Sequence, residues 1–126
     1  MDYKHSELTS NIINAFYFVY NILGYGFLEK VYENALAHEL RKRGYDVVQQ
    51  AAIQVVYDGE IVGVYYADML INNRVILELK AAKKIVKQHE AQLLNYLKAS
   101  QIDVGLLLNF GPAPQVKRKI FESARK

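Results

Sequence analysis

The chain has no cysteine, no tryptophan and only two prolines. None of its apolar stretches approaches the ~20 residues that a bilayer-spanning helix needs. Without cysteine there are no disulfides, zinc-thiolate centres, iron-sulfur clusters or thiol nucleophiles, and a reducing, cytoplasmic location is the expectation. Both prolines fall within Gly111-Pro112-Ala113-Pro114, and no linker, repeat or low-complexity tract interrupts the sequence. The first residues, Met1-Asp2-Tyr3-Lys4-His5, lack the basic-then-apolar layout of a signal peptide, so no membrane association is expected.

What is present describes one packed unit. A length of 126 residues suits a single domain spanning 1–126. Hydrophobic residues at 52% and charged residues at 23% are the balance of a chain that builds a core. The net charge of +3 is compatible with a polyanionic partner but does not single one out. The aromatics are 10 tyrosines and 5 phenylalanines, so most can pack a ring while offering a hydroxyl to a wet cleft.

Leu8, Ile12, Ala15, Val19 and Ile22 recur at helical spacing until Gly24-Tyr25-Gly26. A second helix follows at once, with Leu28, Val31, Tyr32, Ala35 and Leu36 as its apolar stripe. Arg41-Lys42-Arg43 and Gly44 close it. Residues 47–57 and 61–71 read as strands joined by the tight turn Asp58-Gly59. A third strand is expected over 75–81, a helix over about 84–99, a buried strand over 104–110 and a closing helix over 115–124. The order predicts an α/β fold, a mixed β-sheet flanked by helices.

Asp68 and Glu78 each stand inside an apolar strand, where an unpartnered carboxylate is costly. Lys80 lies two residues beyond Glu78 and so shares its face. A two-residue loop at Asn72-Asn73 would put Asp68 on the opposite face. A three-residue loop, Asn72-Asn73-Arg74, pairs Ile71 with Val75 and sets Asp68 across from Glu78. The tolerance of asparagine for left-handed backbone favours the odd loop. Two adjoining carboxylates repel unless a divalent cation holds both ionised, and Mg²⁺ would meet that need while polarising a phosphodiester. Lys80 is placed to hold a water or to balance developing phosphoryl charge. Glu29 is expected to border the buried stripe of the second helix, and Gln92 and Tyr96, four residues apart, share one helix face. Each feature alone also has an ordinary structural explanation: an ion pair, a solvated helix residue, a cap on the core. His5, His38 and His89 show no ligand spacing, and His89 is at most a cleft residue.

Together, these residues resemble a known group. Gly26-Phe27-Leu28-Glu29-Lys30-Val31-Tyr32 matches a GxxExxY signature. Asp68, Glu78-Leu79-Lys80 and Gln92-Leu93-Leu94-Asn95-Tyr96 match the D, ExK and QxxxY pattern of RecB-like members of the PD-(D/E)XK nuclease superfamily. Ala67 stands where the superfamily's signature has proline. The resemblance covers nearly the whole chain and implies a restriction-endonuclease-like αβββαβ core. It further implies that Asp68, Glu78 and the Leu79 carbonyl bind Mg²⁺ or Mn²⁺ with Glu29 in support, that Lys80 assists water, and that Gln92 and Tyr96 orient the site or the nucleic-acid backbone.

Lys83, Lys84 and Lys87 follow the strand that carries Lys80, and Lys117, Arg118, Lys119, Arg125 and Lys126 lie near the end. They are candidate phosphate contacts, although a solvated face accounts for each individually. No base-reading motif is visible. Two main functions follow: a Mg²⁺-dependent nuclease acting on nucleic acid, with DNA preferred, or a catalytically silent nucleic-acid-binding or assembly module. A homodimer or a protein partner could supply specificity. An internal ion-pair network without either function ranks last.

Overall fold

The computed structural model describes residues 4–122. The elements are α1 (Ser6–Leu23), α2 (Glu29–Lys42), β1 (Val47–Tyr57), β2 (Glu60–Ile71), β3 (Val75–Lys80), α3 (Lys87–Ala99), β4 (Val104–Phe110) and β5 (Pro114–Ile120). The five strands form one sheet in sequential order. Only β3 and β4, linked through α3, are parallel, so the sheet is mixed.

α1 and α2 cover one face of the sheet. Ile12, Phe16, Leu36 and Leu40 pack there with Met69, Leu77 and Leu106. α3 covers the other face through Leu93, Tyr96 and Leu97, against Ile76 and Leu107. All seven residues of β4 are buried, as a strand covered on both faces and paired on both edges requires.

That burial explains the one element that departs from expectation. Residues 115–120 form a strand, not a helix, because β4 needs a partner on its outer edge. Gly111-Pro112-Ala113 turns the chain so that Phe110 pairs with Pro114 and Val104 with Ile120. Proline at the first position of an edge strand removes no required ladder bond. The rest of the expected helix, 123–126, including Arg125 and Lys126, lies outside the described residues.

β1 and β2 extend well beyond β3, which pairs with β2 only from Met69 to Ile71. Along this hairpin the side-chain alternation inverts. Val47, Met69 and Ile71 face α1 and α2, yet Ile53 and Ala67, also odd-numbered, pack with α3. The inversion coincides with Gln50, whose backbone is left-handed (φ 53°), and with Asp68 on the neighbouring strand. Beyond this point the odd-numbered residues of the hairpin turn toward α3.

Candidate functional site

The loop between β2 and β3 is the odd one. Ile71 pairs with Val75, and Asn72 and Asn73 adopt left-handed backbone at φ 51° and 54°. The same register sets Asp68 across from Glu78, where ladder pairing has ceased and the side chains take over. The Asp68 N–H donates to Glu78 Oε1 at 3.0 Å, and the Leu79 N–H donates to Asp68 Oδ2 at 2.7 Å. Each strand is thus bonded to a carboxylate of the other.

Glu78 is buried, and burial together with the Asp68 charge pushes its carboxyl up to about 8. Asp68 is half-buried and also raised, first by burial and then by the charges of Glu33 and Glu29, against the Leu79 hydrogen bond and Lys80. Lys80 favours the ionised form of both acids but makes no direct ion pair among the described residues. Among the described residues, Asp68 Oδ1 and Glu78 Oε2 accept no hydrogen bond. Two free oxygens on adjacent, mutually repelling carboxylates form a hard donor set that fits a divalent cation. Among the described residues, however, no three His, Asp or Glu side chains gather as a ready ligand group.

Glu29 does not join the pair as a third ligand in such a group, and it is exposed, contrary to expectation. It is the first residue of α2, although its charge still raises both acids. The buried acid of α2 is Glu33, one turn later and only 4% exposed. Gln50 donates to Glu33 Oε1 at 2.9 Å, while Gln49 and Lys30 donate to Oε2 at 2.8 and 3.2 Å. Sequence reasoning missed both Glu33 and Gln50. Helical spacing could have flagged Glu33, but glutamine carries no signal for left-handed backbone.

Tyr32 fixes the start of α2. Its hydroxyl donates to the Gly24 carbonyl at 2.7 Å and accepts from the Phe27 N–H at 3.2 Å, while its ring stacks on Phe110 at 4.3 Å. The loop beyond Lys80 is held equally closely. Asn109, fully buried, accepts from the Ala82 N–H at 2.9 Å and donates to the Ala82 carbonyl at 3.0 Å. Gln115 Oε1 accepts from the Ile85 N–H and from Asn109. An amide inside the apolar run 104–110 was the available signal for this clamp.

The clamp keeps 81–86 out of helix, so α3 begins at Lys87 and Lys84 lies in the loop. Lys83, Lys84 and Lys87 are exposed. Gln92 and Tyr96 come together, with Gln92 Nε2 donating to the Tyr96 hydroxyl at 2.9 Å. Burial, then the charge of Glu78, raises the Tyr96 phenol. His89 lines a cleft with Gln92 and Tyr96, and its Nδ1 accepts from the Val86 N–H at 3.2 Å as part of the helix cap. In β5 the basic run divides: Lys119 pairs with Glu90 of α3 at 2.8 Å, whereas Arg118 bonds the Lys4 carbonyl. The three cations therefore form no single patch.

No curated protein matches this chain. The crystal structure of SSO0001 is similar in fold, with a TM-score of 0.58 at 17% identity. The match covers 74% of this chain and 50% of that one, so this chain spans about half the length of that protein. The model of the PD-(D/E)XK nuclease superfamily matches residues 6–120, which is nearly all of the sequence and every element just described. The chain belongs to the PD-(D/E)XK nuclease superfamily.

Proposed function

We propose that the protein is a divalent-metal-dependent nuclease of the RecB-like GxxExxY group that hydrolyses phosphodiester bonds in DNA. The supporting observation is the Asp68–Glu78 pair, in which one oxygen of each acid has no hydrogen-bond partner among the described residues and Lys80 favours both ionised forms. In this reading Asp68, Glu78 and the Leu79 carbonyl hold Mg²⁺ or Mn²⁺, and Glu29 contributes charge from the mouth of the site. The bound cation supplies Lewis-acid polarisation of the phosphoryl group and a more acidic water. Lys80 would offer three N–H donors to an attacking water or to the phosphoryl oxygens. Gln92 fixes the Tyr96 hydroxyl next to the acids, and Lys83, Lys84 and Lys87 attract the backbone phosphates.

A second reading, a silent nucleic-acid-binding or assembly module, is favoured by the backbone N–H groups that already satisfy one oxygen of each acid. A cleavage assay on single- and double-stranded DNA and RNA with Mg²⁺, Mn²⁺ or EDTA separates the two. Metal-dependent cleavage that disappears in Asp68→Asn and Lys80→Ala supports the nuclease. Binding without cleavage under every metal supports the silent module.

A further inference from the structure

The outer β1–β2 hairpin and α3 enclose a cleft of about 460 Å³. A second, of about 450 Å³, shares Val55, Tyr65 and Asn95 with it and continues to Lys98, so the two form one trough along α3. The walls of the first cleft are mainly apolar, and those of the second divide about evenly between polar and apolar surface. Tyr65 is 52% exposed and rests on Tyr96, with ring centroids 5.7 Å apart. Gln88 and Asn95, seven residues apart on the same helix face, make no hydrogen bond to the protein among the described residues. Lys98 lies at one end, its ammonium over the Phe121 ring at 5.6 Å from the centroid.

A partly apolar slot with a half-exposed aromatic ring, unengaged amides on one wall and a cation at one end matches a planar heteroaromatic ring with a hydrogen-bonding edge and a flanking phosphate. A blunt duplex keeps the faces of its bases stacked and cannot present one. We propose that the trough is a subsite for an unpaired nucleobase, stacked on Tyr65 and hydrogen-bonded along its edge by Gln88 and Asn95. This deepens, and for its catalytic consequence rests on, the nuclease reading: single-stranded segments or frayed ends would be delivered to Asp68 and Glu78.

Fluorescence anisotropy in EDTA tests the subsite without cleavage. The probes are a labelled oligothymidylate, its abasic counterpart and a blunt duplex. The native chain should prefer the oligothymidylate to both. Tyr65→Ala should weaken that binding roughly 5-fold or more, the size of one lost stacking contact, and Tyr65→Phe should retain it. Gln88→Ala with Asn95→Ala, both at exposed positions, should reduce affinity with the fold unchanged by circular dichroism. Equal binding of the abasic strand or the duplex, or native affinity in Tyr65→Ala, would overturn the subsite. Metal-dependent cleavage with no such preference would leave the nuclease standing without it. Base-dependent binding with no cleavage would do the reverse, and no nucleic-acid binding in EDTA would overturn the subsite and leave the nuclease to the cleavage assay.

Discussion

Asp68 and Glu78 do more than face each other: each accepts a hydrogen bond from the strand that carries the other, at the point where β2 and β3 part. Two acids thereby replace a stretch of backbone ladder, and the site's geometry becomes inseparable from the sheet's. Their ionisation should consequently be readable in the stability of the whole domain.

In EDTA the melting temperature should fall as pH rises from about 4.5 to about 8. Across that window Glu78 is protonated when folded and ionised when unfolded. The folded state then holds more protons, so stability declines with pH. Glu78→Gln should flatten the slope. Mg²⁺ should raise the melting temperature most at the alkaline end, where both carboxylates are available to it. Thermal melts with and without metal check both statements, and a flat native profile in EDTA would contradict them.

Gln50 carries the bend beside Asp68 in left-handed backbone. Gln50→Ala loses the bond to Glu33 and keeps the strain, whereas Gln50→Gly loses the same bond and relieves it. The glycine variant should be the more stable by about 1 kcal/mol in urea titration. The opposite order would mean that the turn imposes no conformational cost.

Gly111 packs against the loop beyond Lys80, where an added Cβ would lie 2.0 Å from the Ala82 carbonyl oxygen. Backbone cannot yield as a flexible side chain can, so Gly111→Ala should cost at least ~1–3 kcal/mol and reduce any cleavage with it. Gly63→Ala, with nothing within 4 Å of the new methyl, should be neutral or slightly stabilising. Denaturant midpoints of the pair give the comparison.

Tyr32→Phe keeps the stack on Phe110 and removes both bonds to the 24–28 loop. A loss of roughly 1–2 kcal/mol is expected. Amide exchange should quicken at Phe27 and through the first turn of α2, and unchanged exchange there would dissociate the hydroxyl from the placement of Glu29.

Much of this was legible in the sequence because the decisive signals are local. The apolar run 104–110 was short enough for a buried strand, and Asn72-Asn73-Arg74 favoured the register that joins Asp68 to Glu78. What was not legible depends on distant neighbours. Residues 115–120 alternate weakly and could serve as helix or strand until β4 demands an edge partner. Glu29 and Glu33 lie a turn apart on one helix face, and which of them is covered depends on where α2 ends relative to the sheet.

The left-handed pair Asn72 and Asn73 gives this site an unusual vulnerability. Deleting a single residue from that corner would act on the sheet as a frameshift acts on a coding strand: every acid would still be spelled out, yet inside and outside would be exchanged from there on. A search of related chains that scores only the identity of Asp68, Glu78 and Lys80 would pass such a sequence as intact. Counting the length of the corner is what distinguishes a usable pair of acids from two stranded ones.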